Sequence, residues 1–266
     1  RYVAPQVWAW RAGRAKQLAG WIDHLFTLFP FESPLFECHG LPVTWVGHPV
    51  MESPFCGDGD KFREENALSP NTQIMAVLPG SRVSEVKTLA PVFGKTLTRL
   101  RSHLSNLHFV VPTVPSVEQR VRDWAESLLM PVTVVTSDQD REDAFAASVV
   151  ALAASGTVTL ELAKAGIPHA VAYKVNPLTA FAFRRLTRTP FVNLNNIIQD
   201  HSVVPEFLQE RCNADVLSEA IVDLINNEAA RKKQKESFAQ VLHALAPEGL
   251  PPSHRAAKVI MNIIAD

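Results

Sequence analysis

The sequence predicts an α/β protein on a buried parallel sheet: one complete doubly wound, Rossmann-like domain, the end of a second before it, and a helical C-terminus. Three observations predict it. Short runs rich in Val, Ile and Leu alternate with longer stretches of helical period. The runs are apolar almost throughout, as strands covered on both faces must be. The strand–helix unit then repeats from residue 74 to residue 173.

Taken in order, apolar runs at 2–3, 24–28 and 43–46 are read as the tail of a first domain, residues 1–52. Residues 53–69 are polar and rich in Gly and Glu, which predicts a linker. A domain over 70–240 follows, with strands at 74–78, 107–111, 132–135, 149–153 and 170–173. Helices are predicted between them at 86–100, 117–129, 142–147 and 157–165. Pro91 then falls in the first two turns of its helix and Pro115 just before the next, where a missing N–H is tolerated. Gly166 and Pro168 end the fourth helix in the usual order. From Leu178 onward the chain is expected to be mainly helical, with an amphipathic helix from Asp215 marked by Val216, Ala220, Ile221, Leu224 and Ile225. The segment 241–266 is read as a C-terminal helix with Val259, Ile260, Ile263 and Ile264 on its apolar side.

Composition excludes several classes. In 266 residues, 26 Lys plus Arg stand against 27 Asp plus Glu, so no basic excess favours a nucleic-acid partner. With 47% hydrophobic residues the chain carries enough apolar material for one large or two ordinary domains. The most apolar stretch, residues 144–154, is about half of the ~20 residues needed to cross a bilayer, and Ser148 interrupts it. Cys38, Cys56 and Cys212 are scattered and odd in number, which argues against a disulfide framework and fits a cytoplasmic protein. The start at Arg1-Tyr2-Val3-Ala4-Pro5 reads as if the chain were entered partway through a fold.

Two strand ends carry the chemistry. Leu78-Pro79-Gly80-Ser81-Arg82 lies between a strand and a helix, at the edge where open α/β sheets hold ligands. Gly80 permits close backbone approach, Ser81 offers a hydroxyl and Arg82 a planar fork of donors, a set suited to a diphosphate. The competing reading makes Gly80 the turn, Ser81 the helix cap and Arg82 the partner of Glu85 on a solvated face. Ser155-Gly156-Thr157, after the apolar run at 149–153, is a second strand-to-helix junction where backbone N–H groups favour an anion. A capping box there would need Glu or Gln at position 158, which is Val158, so Glu161 is left either to hold ribose hydroxyls or to sit on a solvated face.

Other signatures fail. Gly94-Lys95-Thr96 lacks the earlier glycine of a phosphate loop, since that position is Leu89. Gly57 and Gly59 have Phe62 where a third glycine is needed. The nine histidines include no metal spacing, so no metal and no cofactor is expected. The amides around Asn193, Asn195 and Asn196, followed by Glu206, could bind hydroxyls or phosphate, although asparagine runs more often make turns. Residues 178–186 combine Phe181, Phe183 and Leu186 with Arg184 and Arg185, which fits either an anionic membrane surface or a core helix with a basic edge.

Taken together these blocks resemble the lipid-A-disaccharide synthase family. The resemblance rests on Val3 through Arg11 with its Val7-Trp8-Ala9-Trp10-Arg11 core, Phe29-Pro30-Phe31-Glu32 and Gly47-His48-Pro49. It extends through Leu78-Pro79-Gly80-Ser81-Arg82 with Glu85-Val86, Ala154-Ser155-Gly156-Thr157 with Leu160-Glu161, and the Asn196 and Pro205 regions. It implies a GT-B glycosyltransferase that moves 2,3-diacylglucosamine from its UDP derivative to 2,3-diacylglucosamine 1-phosphate, giving the β-1,6 disaccharide and UDP. It also implies a C-terminal nucleotide-binding domain, with Gly80, Ser81 and Arg82 on the diphosphate and Arg82 stabilising the leaving group. Ser155, Gly156 and Thr157 would bind phosphate, Glu161 ribose and Asn196 the nucleotide, the last in a contact that a homodimer interface would allow. A peripheral place on the cytoplasmic face of the inner membrane follows from the acylated substrates. The chain departs from the family in having Asn195 where Pro is usual, and the family's general base is expected upstream of residue 1, so the 266-residue chain is expected to bind UDP weakly without catalysing transfer. The rival readings are another UDP-amino-sugar GT-B enzyme and a non-catalytic nucleotide-binding scaffold.

Overall fold

Parallel pairing of the short apolar runs organises the chain into two units. The computed structural model describes residues 1–7, 13–175, 189–246 and 249–265. Among these, one unit takes in 1–54, 189–190 and 240–265, and the other 55–175 and 191–239. Residues 8–11 of the Val7 to Arg11 block and the basic aromatic stretch with Phe181 and Phe183 lie outside the described residues.

In the first unit, helix α1 (Gly13–Ala19), strand β1 (Leu25–Thr27), helix α2 (Pro34–Glu37) and strand β2 (Val43–Trp45) follow one another. The strands pair in parallel, Leu25 opposite Val43, and Tyr2 bridges to Phe26 on the other side. Ala4, Val7, Ala15, Leu18, Leu25, Phe36 and Leu41 form its core. The Glu32 carboxylate accepts the N–H groups of Leu28 and Phe29, both at 3.1 Å, and so closes the Phe29 to Glu32 turn. The C-terminal helix Pro252–Ala265 belongs to this unit, with Ala256 and Val259 packed on Phe26 and Val46. Its start is tied down by Glu52, which accepts both the N–H and the hydroxyl of Ser253. Only part of the face expected to be apolar is covered: Ile260, Ile263 and Ile264 remain exposed.

The second unit is a six-stranded parallel sheet. Its elements run α3 (Gly59–Glu65), β3 (Gln73–Leu78), α4 (Val83–His103), β4 (Leu107–Pro112), α5 (Glu118–Ser127), β5 (Val132–Val135) and α6 (Asp138–Ala147). They continue with β6 (Val150–Ala154), α7 (Val158–Lys164), β7 (His169–Tyr173), α8 (Leu194–Gln199), β8 (Glu206–Leu208) and α9 (Ala214–Asn226). The order across the sheet is β5-β4-β3-β6-β7-β8. Alternate residues of β3 feed opposite faces, Met75 and Val77 joining Phe93, Leu97, Leu217 and Ile221, whereas Ile74, Ala76 and Leu78 meet Ala144, Phe145 and Leu162. Covering on both faces is what the continuous apolar runs require.

Two expectations need correcting. The segment 53–69 is not a linker: α3 lies inside it, buries Phe62, and is clamped to α6 by Asp143, which accepts from Lys61 Nζ and the Asp58 N–H, both at 2.8 Å. Gly57 is what lets the chain come this close, because a Cβ there would stand 2.1 Å from the Glu142 carbonyl oxygen. Helix α4 begins at Val83, so Pro91 sits deep inside it, on an exposed face where water can reach the unpaired carbonyl. The described stretch after residue 189 is mainly helical, as expected, and β8 in addition extends the sheet beyond β7. The two units divide between residues 239 and 240, within one continuous helix, Glu228–Leu245.

Candidate functional site

The strand order reverses between β3 and β6, which pair directly, Leu78 opposite Ala153. Connections leave these neighbours toward opposite sides of the sheet, and the crevice beyond their carboxyl ends is where doubly wound sheets bind ligands. The two junctions singled out in the sequence occupy those two ends: Gly80-Ser81-Arg82 follows β3, and Ser155-Gly156-Thr157 follows β6. Residues more than 70 positions apart in sequence thus meet at the switch point.

At the first junction Gly80 takes φ +121°, a conformation that costs other residues strain, and a Cβ there would lie 2.5 Å from the Glu85 Cβ. Arg82 is the residue that starts α4, with an extended backbone. Glu85 reaches back to accept the N–H groups of Ser81 at 3.0 Å and Arg82 at 3.3 Å. Its other oxygen pairs with Arg82 Nη1 at 2.5 Å, while the Arg82 side chain stays 77% exposed. The cap is therefore supplied by Glu85, not by the Ser81 hydroxyl. Ser116 Oγ donates to the Ser81 carbonyl at 3.3 Å and braces the turn from the β4 side.

At the second junction Ser155 Oγ donates to the Val192 carbonyl at 2.7 Å, so this hydroxyl anchors a later segment. Gly156 leaves open space where a side chain would begin. Thr157 starts α7 without a side-chain cap bond. Glu161 is partly exposed and faces Arg141 Nε at 3.6 Å, so it is neither a cap nor an unpaired surface carboxylate.

Asn196 lies elsewhere in role. Its side chain is fully buried and all four of its hydrogen-bonding positions are used inside the chain. Nδ2 donates to the Val204 carbonyl and to Glu206 Oε1, both at 2.8 Å, and Oδ1 accepts the N–H groups of Val203 at 3.0 Å and Val204 at 2.9 Å. A saturated buried amide has nothing left to offer a nucleotide, which corrects the expected direct contact. Glu206 also accepts the N–H groups of Val192 at 3.0 Å and Asn193 at 2.9 Å. Burial pushes its carboxyl above the usual range, against the pull of those three hydrogen bonds. Asn193 caps α8 through the Asn195 N–H at 2.8 Å, a bond that the family's usual proline could not make. Asn195 Nδ2 reaches the Thr159 carbonyl at 3.1 Å. Residues 192–206 are thereby bonded to both Ser155 and α7.

Two neighbours escaped the sequence reading. Tyr173, at the end of β7, is half-buried, and its phenol is pushed up by burial and by Glu85 while Arg82 draws it down, so it lies within reach of both charges. Arg141 on α6 is the partner of Glu161. Only strand order could have pointed to either, because each meets the site through tertiary structure. Among the described residues no group of three or more His, Cys, Asp or Glu side chains could hold a metal.

Comparison with known proteins decides the family. The family described as lipid-A-disaccharide synthetase (LpxB) matches residues 1–260. The chain belongs to the lipid-A-disaccharide synthetase family. Within it, the lipid-A-disaccharide synthase of Rhodospirillum centenum is 48% identical over 264 residues, covering 99% of this chain and 66% of that protein. That of Gluconobacter oxydans is 40% identical over 264 residues, covering 99% of this chain and 64% of that protein. The chain thus spans just under two thirds of the length of these family members. Among solved structures, S. aureus MnaA, in a co-structure with UDP, superposes with TM-score 0.65 at 14% identity over 94% of this chain and 64% of that one. WaaG, a glycosyltransferase involved in lipopolysaccharide biosynthesis, gives 0.55 at 16% identity over 89% and 62%. At such identities the likeness is one of fold, and the fold of this family member is GT-B.

Proposed function

We propose that the chain supplies the donor-nucleotide site of a glycosyltransferase of lipid A biosynthesis, acting on the UDP derivative of 2,3-diacylglucosamine. The observation that carries this reading is the meeting of the Gly80-Ser81-Arg82 and Ser155-Gly156-Thr157 junctions at the switch point of the sheet, in a chain of this family. Gly80 and Ser81 present backbone to the diphosphate, Arg82 adds a mobile cation, and Ser155 through Thr157 line the other side. Glu161 is available to ribose hydroxyls once its bond to Arg141 loosens. Asn196 acts at one remove, by fixing the segment that Ser155 grips.

In the transfer, the sugar C1–O bond to the diphosphate breaks as the 6-hydroxyl of 2,3-diacylglucosamine 1-phosphate forms the new glycosidic bond. The hydroxyl proton passes to a base, and UDP leaves with the bonding electrons. Charge grows on the diphosphate as that bond breaks, and the Arg82 guanidinium with the junction N–H groups offsets it. No helix of the described residues is long and apolar enough to cross a membrane. We infer that the acylated substrates are met at a membrane surface, on its cytoplasmic side, by peripheral contact.

The test is calorimetric titration of UDP into the chain and its Arg82→Ala variant, with Lys235→Ala as an exposed control. The reading expects Arg82→Ala alone to weaken UDP, by about tenfold or more. Equal affinities for all three proteins would overturn it.

A further inference from the structure

Glu85 makes more bonds than helix capping requires. One oxygen takes the N–H groups of Ser81 and Arg82, at 3.0 and 3.3 Å, and the other takes Arg82 Nη1 at 2.5 Å. These are the donors that a diphosphate at this junction would use. The turn is moulded round the carboxylate: a Cβ on Gly80 would stand 2.5 Å from the Glu85 Cβ and 2.7 Å from its Oε2. The Glu85 side chain is only 19% exposed, whereas Arg82 is 77% exposed, so the acid is fixed and the guanidinium is the part free to swing. An ion pair whose cation is so open to solvent is weak.

We propose that Glu85 is a built-in stand-in for phosphate: in the ligand-free chain it holds Arg82 and the junction N–H groups, and a nucleoside diphosphate must displace it from Arg82 to bind. The stand-in keeps the turn shaped and the cation oriented between binding events. Its cost is affinity, since the ligand must break the ion pair and approach a fixed carboxylate of like charge. The inference rests on the nucleotide-site reading above and goes further in naming what opposes binding.

The experiment titrates UDP, and uridine as the phosphate-free probe, into the unaltered chain, Glu85→Gln, Arg82→Ala and the double variant. Glutamine keeps an acceptor for the turn but removes the charge. Glu85→Gln is expected to bind UDP about three- to tenfold more tightly, with uridine unchanged and with the gain abolished in the double variant. Equal or weaker UDP binding, or an equal gain for uridine, would overturn the proposal. A second readout needs no variant at the acid: the Arg82 side-chain Nε–H resonance, identified by its loss in Arg82→Lys, should shift on adding UDP and stay in place with uridine. A resonance unmoved by bound UDP overturns the displacement. If Arg82→Ala leaves UDP binding unchanged, or no UDP binding is measurable, the nucleotide-site reading itself falls. If Arg82→Ala weakens UDP while Glu85→Gln fails to tighten it, only the stand-in role falls.

Discussion

The amide of Asn196 donates to the Glu206 carboxylate at 2.8 Å, and through it the two residues hold the backbone N–H groups of Val192, Asn193, Val203 and Val204. Cutting this knot leaves several buried donors and acceptors without partners. Asn196→Ala is therefore expected to cost roughly 2–4 kcal/mol of stability, measured by urea denaturation. A loss under 1 kcal/mol would mean the network is dispensable.

The same geometry separates Asn196 from Arg82 by kind of effect. Asn196→Ala should weaken UDP only as far as it loosens the Ser155 junction, and the loss should shrink on cooling as the segment re-forms. Arg82→Ala should leave the melting temperature within about 2 °C while removing affinity, because its side chain is exposed and its ion pair with Glu85 is weak. Differential scanning fluorimetry run beside calorimetry distinguishes the two.

Gly80 is held at φ +121° against Glu85, so Gly80→Ala meets both a backbone penalty and a clash. A destabilisation of about 1–3 kcal/mol is expected, with UDP affinity falling in parallel. A variant that bound UDP normally would show that the turn has room the geometry denies it.

Two buried histidines set an acid limit. His48 accepts the Val50 N–H on Nδ1, whereas His169 donates from Nδ1 to the Ile167 carbonyl and stacks on Phe238, its Nε2 buried without a partner among the described residues. Burial pulls each down from 6.5 to about 4. Between those values the unfolded chain binds protons that the folded chain refuses, so stability is highest above pH 6.5 and falls as the pH drops toward 4. The gap is worth up to about 3 kcal/mol per histidine. His169→Phe should flatten part of that fall in melts across this range, and a slope unchanged by the substitution would count against the account.

The sheet was legible because fully covered strands must be apolar: β3 and β5 came within a residue of their observed bounds. The junctions at Gly80 and Ser155 were legible too, since small residues at strand ends mark close backbone approach. What sequence could not supply was partnership. Glu85 could be named as Arg82's neighbour from its spacing, but its bonds to two backbone N–H groups depend on the turn. Asn196 looked like a ligand because amides bind nucleotides, and only its four internal bonds reveal another use. The segment 53–69 looked like a linker because its polar residues hide one anchoring side chain, Phe62, and an acid partner 82 positions from Lys61.

Strand β8 has a further consequence. It is three residues long, follows Pro205, begins with Glu206, and forms one margin of the six-stranded sheet. A short margin with a proline beside it and a carboxylate already committed inward offers little template to a passing chain. The residue that knots the segment next to the Ser155 junction thereby also helps blunt the sheet against edge-to-edge aggregation.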